Sequence, residues 1–165
     1  MINDFQISET TSVPQILNHE EDEANLAQFH IFKNDNIKGP NDVLIRDYIK
    51  QNNHLFILGR IPYFYSNGCY QPDNQGHLLK KKIEQCLYRE FRKAPTINRI
   101  YDLFIIDDDL NMTEKDLNKQ PACWISFQNG YFDPIENRMV PHDPNYFTTS
   151  QVVASYDPKE KSYLL

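Results

Sequence analysis

The chain has 165 residues, enough for one domain of ordinary size with its own buried core. Hydrophobic residues make up 40% and aromatic residues 13%, so Tyr and Phe carry much of the packing. The formal net charge of −6 provides no general attraction to nucleic acid or anionic membranes, and any such contact must come from a local patch.

The cysteines and the apolar runs restrict the class of protein further. Cys69, Cys86 and Cys123 are far apart and lack Cys-x-x-Cys spacing, which argues against a disulfide framework or a zinc site and favours a reducing compartment. No apolar run approaches the roughly 18 residues that a membrane helix needs. The N terminus also lacks the basic and then apolar pattern of a signal peptide. We therefore expect a cytoplasmic protein without a membrane partner.

The first 24 residues are polar and acidic and end in the run Glu20–Glu23. This composition predicts a mobile tail. The alternative is a helix from about Asp22 that places Leu26, Phe29 and His30 on one face. Consecutive carboxylates on a helix point in different directions. We therefore expect the acidic run to be solvated and not to bind a metal.

The next two segments are a loop and a helix. Residues 32–40 are rich in Asn, Asp, Gly and Pro, a composition that is typical of a loop. Asn41 or Asp42 can cap a helix that extends through Gln51. The apolar residues of this helix recur at helical spacing, at Leu44, Ile45, Tyr48 and Ile49.

Residues 54–72 are rich in strand-forming residues and contain two turn signals. One turn lies near Gly59-Arg60 and the other at Ser66–Gly68. These signals predict a three-stranded antiparallel meander.

Two helices follow. Gly76–Lys93 carries an apolar stripe at spacings of three and four, which predicts one long helix with Cys86 as a small core residue. Pro95 ends this helix, and Thr96 can cap a second helix through about Ile106. The acidic run Asp107–Asp109 then stops the second helix, and Thr113–Asp116 predicts a single helical turn.

The segment after residue 122 is predicted to form a hairpin. Residues 124–128 alternate with a period of two, which indicates a strand with one buried face. Asn129-Gly130 suits either a tight turn or a bulge. We favour a bulge there and a hairpin loop at Pro134–Asn137, because strand-length segments then flank the loop. The whole pattern predicts an α+β fold, with antiparallel hairpins packed against three to four helices, a helical pair at 76–106 and a hairpin at 123–141.

The sequence predicts no catalytic or metal site. It contains no GxxxxGK[ST], GxGxxG or GxSxG motif. Asp107–Asp109 is the one run that could suggest catalysis by divalent metals. Because it follows a helix and precedes a loop, we expect a solvated helix-end loop instead. The histidines lack ligand spacing, and we expect hydrogen-bonded surface or turn residues at His30, His54, His77 and His142.

The helical pair carries the one candidate binding surface. On a single helix, Lys82, Arg89 and Lys93 would share one surface at spacings of seven and four, where they could neutralise phosphates. Exposed tyrosines could stack on the bases of single-stranded DNA. A solvated helix is the alternative, and a winged-helix arrangement is a third possibility. The candidate nucleic-acid-binding residues are Lys80, Lys81, Lys82, Arg89, Arg92, Lys93, Arg99, Tyr65 and Tyr70.

The series NGYFDPIENRMVPHDPNYFTT, followed by Tyr156-Asp157-Pro158, resembles a pattern that precedes the superfamily-three helicase core in phage, plasmid and poxvirus-type primase-helicases. The resemblance covers roughly residues 41–158, departing at Tyr131-Phe132 and at Ile135–Asn137, where it affects loop shape. The Asn, Asp, Gly and Pro residues of the motif are of types that serve turns, so we expect structural roles for them. The matching positions are Asn129, Gly130, Asp133, Pro141, His142, Pro144, Tyr146, Phe147, Thr149, Tyr156, Asp157 and Pro158, with Tyr63, Tyr65, Gly68, Tyr70 and Pro72 upstream.

The resemblance implies that residues 25–158 are a non-catalytic domain of a phage or mobile-element primase-helicase that replicates DNA in a bacterial host. Residues 159–165 would begin a linker to a helicase core. The parent would use ATP and Mg²⁺ in a ring of six subunits, and this domain would hold no cofactor. It would act as a connector, a collar or a guide for single-stranded DNA.

Two other functions are open to the same residues. The domain could be an interaction or oligomerisation module that binds ring subunits or other replication proteins without touching DNA. An independent small enzyme is disfavoured, because no nucleophile–base pair or metal constellation is present.

Overall fold

The computed structural model describes residues 25–157 and residue 159. The predicted acidic tail, Pro158 and the predicted linker from residue 160 lie outside the described residues, as does a helix start at Asp22. Residues 25–27 are helical, whereas His30 begins a strand and is not on that helix. No helix in the described part of the chain is long and apolar enough to cross a membrane.

The first element is a hairpin of strands β1 (His30–Lys33) and β2 (Asn36–Pro40). The prediction of a loop over residues 32–40 is therefore wrong. The turn residues Asn34 and Asp35 have φ of 52° and 59°. Because Asn and Asp accept positive φ, this pair closes a two-residue turn between short polar strands that lack a hydrophobic alternation.

Helix α1 (Asp42–Gln51) confirms the predicted helix. The Asn41 side chain caps it, because its Oδ1 accepts a hydrogen bond from the Leu44 N–H at 3.2 Å. Ile45 and Ile49 are buried, as their spacing predicts.

The central sheet contains the predicted meander of strands β3 (Leu55–Leu58), β4 (Ile61–Ser66) and β5 (Cys69–Pro72). A fourth strand, β6 (Asn111–Met112), pairs parallel to β3 and gives the order β5-β4-β3-β6. Two residues without a periodic pattern carry no strand signal, so β6 was not predictable.

Helices α2 (His77–Gln85) and α3 (Ala94–Ile105) form the helical pair. The prediction of one helix over Gly76–Lys93 is wrong, because α2 ends at Gln85 and residues 89–91 form a separate 3-10 helix. Tertiary contacts explain the break. Leu87 is fully buried, and the Tyr88 N–H donates to His30 Nε2 at 3.3 Å, which is possible only if the chain leaves the helix.

The core lies between the three helices and one face of the central sheet. Leu55, Ile57 and Phe64 supply the sheet side of this core. Successive strand residues point to opposite faces. Phe56 therefore points away from the helices, and its ring packs against Phe147 with the centroids 5.9 Å apart.

The C-terminal sheet consists of β7 (Ile125–Phe127), β8 (Gly130–Asp133) and β9 (Arg138–Val140). Both candidate turns form, so the bulge prediction at Asn129-Gly130 is wrong: Phe127 pairs directly with Gly130 across a two-residue loop. Residues 106–124 separate α3 from β7, so the hairpin does not follow the helical pair as a wing. The predicted turn at Glu114–Asp116 is present with a capping box from Thr113. The α+β prediction is confirmed.

Candidate functional sites on the helical pair and at the C-terminal sheet

The described residues contain no group of three His, Cys, Asp or Glu side chains that could hold a metal ion. Cys69 and Cys86 are buried and Cys123 is exposed. Burial raises the pKa of the Cys86 thiol to about 11, the opposite of the shift that activates a nucleophile. Cys86 is the core residue that its position on the apolar stripe predicts.

The acidic run Asp107–Asp109 is not uniformly solvated, so that prediction is wrong for Asp107. The Asp107 side chain is 8% exposed and its carboxylate lies 3.2 Å from Lys50 Nζ and 3.7 Å from Arg46 Nε. Asp109 is 83% exposed and pairs with the same lysine at 2.9 Å, and this hydrogen bond lowers the pKa of Asp109. Asp107 and Asp109 therefore connect the end of α3 to α1 through ion pairs with Lys50.

Two histidines have roles in packing. His30 is buried, which contradicts the predicted surface or turn position: its Nδ1 lies 2.9 Å from the Leu26 carbonyl oxygen and its ring packs on Tyr88 at 4.3 Å. The His142 ring lies over Gly68, where an added Cβ would come within 2.3 Å of it. His54 and His77 are exposed.

The helical pair carries the local positive charge that a nucleic-acid contact requires. Residues 77–105 contain seven Lys or Arg residues and three acidic residues, a net charge of +4 in a chain of net charge −6. The acidic residues are Glu84, Glu90 and Asp102. This imbalance is a property of composition and does not depend on where α2 ends.

The prediction that Lys82, Arg89 and Lys93 share a helix surface is wrong, because α2 ends at Gln85, Arg89 lies in the separate 3-10 helix and Lys93 precedes α3. The lysines of α2 also point in different directions. Lys82 Nζ lies 5.8 Å from the centre of the Phe64 ring, towards the sheet. Lys80 Nζ lies 5.1 Å from the centre of the Tyr101 ring, towards α3. Lys80 and Lys82 are two residues apart on a helix that turns about 100° per residue, so they differ by about 200° in direction.

The remaining basic residues differ in their availability. Arg99 pairs with Asp42, with Nη2 and Oδ1 3.0 Å apart. Arg92 donates from Nε to the Leu87 carbonyl at 3.0 Å and so holds the turn after α2. Three exposed side chains make no ion pair with another described residue, and we call them the free basic surface: Lys81, Arg89 and Lys93.

The two candidate stacking tyrosines are not equivalent. Tyr70 is 2% exposed, packs against Tyr65 and Phe147, and has its pKa raised to about 12 by burial. The prediction that it is exposed is wrong. Tyr65 is half-buried, and burial is also the main cause of the rise in its pKa.

A groove of about 560 Å³ runs between α2 and the start of α3. Its acidic, amide and apolar residues were not predictable as one site, because helical periodicity does not reveal which faces of two helices meet. The Lys81, Glu84 and Asn98 side chains are exposed and make no hydrogen bond to another described residue. The groove is lined by His77, Lys80, Lys81, Glu84, Ala94, Ile97 and Asn98.

A second site lies where the C-terminal sheet meets the segment after residue 150. The Asn129 side chain donates from Nδ2 to the Tyr156 carbonyl and accepts from the Tyr156 N–H at Oδ1, both at 2.9 Å. The Tyr156 ring stacks on Phe132 with the centroids 4.3 Å apart. We call Asn129, Phe132 and β7 together the C-terminal clamp.

Backbone pairing completes the clamp. The Val152 N–H donates to the Ser126 carbonyl at 2.8 Å, and the Gln128 N–H donates to the Ala154 carbonyl at 2.9 Å. Residues 152–154 therefore lie along the edge of β7, with Phe127 and Val152 forming a parallel bridge. This contact fixes both the direction and the register of the segment.

Other motif residues make contacts inside the chain. Asp133 Oδ1 accepts from the backbone N–H groups of Ile135 and Glu136 at 3.0 and 3.2 Å, which closes the turn after β8. Asp143 Oδ1 accepts from the Asn145 N–H at 2.8 Å at the start of a 3-10 helix. Tyr131, where the chain departs from the motif, is fully buried, with its hydroxyl 2.7 Å from Thr148 Oγ1.

A family model described as D5 N terminal like matches residues 66–164, more than half of the chain. The chain therefore belongs to this family, the N-terminal domain of D5-like phage and plasmid primase-helicase proteins. The resemblance seen in the sequence is confirmed, and the family makes the chain an N-terminal region of replication primase-helicase type. Both the helical pair and the C-terminal clamp lie within the matched residues. No curated protein matches the chain.

Proposed function

We propose that this domain is a non-catalytic connector of a DNA primase-helicase, in which the C-terminal clamp sets the path of the chain towards a helicase core. The observation that carries the proposal is the double hydrogen bond between Asn129 and the Tyr156 backbone. A side chain that satisfies both backbone groups of one residue fixes its orientation as a strand partner does. Force or movement in the helicase core would then be transmitted directly to this domain.

The proposal assigns the chemistry to other parts of the parent protein. ATP and Mg²⁺ would act in the helicase core, and this domain would hold no cofactor. Its partners would be the neighbouring subunits of a ring and other replication proteins. ATP hydrolysis or primer synthesis by purified residues 1–165 would contradict the non-catalytic role.

The first prediction concerns Asn129→Ala, which removes both hydrogen bonds to Tyr156. We expect hydrogen exchange at residues 152–156 to rise about tenfold or more, because each lost bond contributes about 1 kcal/mol. Exchange in α1 should not change. In the primase-helicase that carries this domain, the variant should unwind DNA more slowly at an unchanged rate of ATP hydrolysis.

Asn129→Asp is the matched control, because it keeps the acceptor for the Tyr156 N–H and replaces the donor with a carboxylate oxygen that faces the Tyr156 carbonyl. We expect an intermediate rise in exchange and an intermediate loss of unwinding. Unchanged exchange in Asn129→Ala would contradict the clamp. Increased exchange with full unwinding activity would contradict the connector role while leaving the clamp intact.

A second candidate function is guidance of single-stranded DNA by the helical pair. Its support is the net charge of +4 over residues 77–105, together with the free basic surface of Lys81, Arg89 and Lys93. Side chains without an acidic partner are available to replace the counterions of phosphates. Lys81 therefore belongs among the substitutions that test this role, whereas Lys82 does not, because its side chain lies against the Phe64 ring.

The second prediction is that Lys81/Arg89/Lys93→Glu binds labelled single-stranded DNA at low salt about tenfold or more weakly than wild type. The control variant Lys33/Lys38/Arg138→Glu has the same net charge as Lys81/Arg89/Lys93→Glu but alters exposed residues on other elements. It should bind nearly as tightly as wild type does. Equal binding by the two variants, or no binding by wild type, would contradict DNA guidance. No binding together with a concentration-dependent mass in ultracentrifugation would instead support an interaction module.

A further inference from the structure

We propose that the groove between α2 and α3 holds one base of a single-stranded nucleic acid, an inference that rests on the DNA-guide function. The groove has a volume of about 560 Å³, more than one nucleotide requires. It combines an apolar lining with unpaired polar groups and two lysines. In small-molecule sites, polar groups beside apolar side chains fix the orientation of the ligand.

The apolar lining consists of Ala94 and Ile97. Ile97 is partly buried and packs against the core cluster, so its position in the groove is fixed by the fold. A base has an apolar face that gains contact with such a side chain when it leaves water. The contact is independent of base identity and would supply affinity.

The polar lining can read the edge of a base. Glu84 offers carboxylate oxygens, which only accept hydrogen bonds, and Asn98 offers both a donor and an acceptor. Neither side chain is engaged by another described residue. A carboxylate accepts well from an exocyclic amino group such as cytosine N4. The groove should therefore prefer cytosine to thymine, which has no amino group.

The lysines are placed for the phosphates beside such a base. Lys81 is exposed, and Lys80 is held over the Tyr101 ring. Tyr101 is itself confined by Gly76, where an added Cβ would come within 2.6 Å of the ring. Lys80 is thus partly ordered before any ligand binds, which reduces the entropy lost on binding.

An acidic peptide fits the groove less well than a nucleic acid does. Lys80 and Lys81 would attract either ligand, but Glu84 would repel the side chains of an acidic peptide. The same carboxylate gains a hydrogen bond from a base. The observed polar lining of one acid, one amide, one histidine and two lysines therefore favours the nucleic acid.

The test compares three labelled strands of about 20 nucleotides, longer than the site of one small domain. They are oligodeoxycytidine, oligothymidine and an abasic strand that has the phosphates but no bases. Anisotropy titrations at low salt and neutral pH would use the full chain, wild type and variants. We expect wild type to bind oligodeoxycytidine about fivefold more tightly than the abasic strand.

Two variants and one control test whether the preference for strands with bases arises in the groove. Ile97→Ala should remove the advantage of oligodeoxycytidine over the abasic strand without changing affinity for the latter. Glu84→Gln should abolish the preference for oligodeoxycytidine over oligothymidine, and as an exposed substitution it does not threaten folding. Leu78→Ala lies on the same helix, is 43% exposed and does not line the groove, so it should behave as wild type.

The outcomes separate this inference from the function on which it rests. If wild type binds all three strands equally and only Lys81/Arg89/Lys93→Glu loses binding, the DNA guide stands and the base site is wrong. If wild type binds none of them, both proposals fail. Equal effects of Leu78→Ala and Ile97→Ala, or displacement of oligodeoxycytidine by polyglutamate but not by the abasic strand, would also overturn the base site.

Discussion

Asp107 and Asp109 contact the same lysine but differ in their surroundings. The Asp107 carboxylate is almost enclosed and also accepts the Asp109 N–H at 3.0 Å, whereas the Asp109 side chain lies in water. An ion pair gains strength when solvent is excluded, and a buried charge that loses its partner is costly. Exposure therefore decides which of the two carboxylates stabilises the contact between α1 and α3.

The third prediction follows from this difference. Asp107→Asn should lower the free energy of unfolding by about 1–2 kcal/mol, because Lys50 and Arg46 lose a shielded partner. These two cations remain partly exposed, which keeps the loss below that of a fully buried pair. Asp109→Asn should cause a clearly smaller loss. Urea denaturation of both variants checks the difference, and equal losses would show that enclosure of Asp107 contributes nothing.

At the scale of elements, the caps and turns that depend on neighbouring residues were largely predictable from residue types. Asn41 caps α1 as its residue type indicates, and the two turns of the central meander lie where Gly and Asn occur. The predicted cap at Thr96 is wrong, because α3 begins at Ala94 with Lys93 as its N-cap and Pro95 in its first turn. The end of α2 could not be predicted in the same way. It depends on His30, more than fifty residues earlier, accepting the Tyr88 N–H.

The candidate site was predictable only in its composition. The excess of Lys and Arg over residues 77–105 is visible in the sequence, and it correctly indicated where positive charge collects. Which of those side chains are free depends on partners from other elements, such as Asp42 for Arg99 and Tyr101 for Lys80. The groove and the burial of Tyr70 have the same origin, because both arise where two elements meet.

At the scale of the whole molecule, the C-terminal sheet region contacts the central sheet around Tyr70 and Gly68. The Tyr70 N–H donates to the Thr148 carbonyl at 2.7 Å, and Phe147 packs against Tyr70 and Phe56. Gln151 donates to the Asn67 carbonyl at 3.0 Å, and the His142 ring covers the adjacent Gly68. The proposed connector needs this joint, because the clamp can transmit force only if its sheet does not slide.

The last prediction tests the joint at Gly68. Gly68→Ala should destabilise the chain for two reasons: φ is 91°, and the new Cβ would overlap the His142 ring. Gly59→Ala is the matched control, because its φ of 56° is also positive but nothing lies within 4 Å of the new Cβ. We expect about 1 kcal/mol of backbone strain at Gly59 and about 1–3 kcal/mol more at Gly68. The additional loss of stability in Gly68→Ala should appear as faster hydrogen exchange in β7–β9, while exchange in α1 stays the same as in Gly59→Ala. If both variants lose equal stability, the Gly68–His142 contact has no special role. If exchange in α1 rises as much as in β7–β9, the two sheets form one cooperative unit. A connector would then transmit force through the whole core.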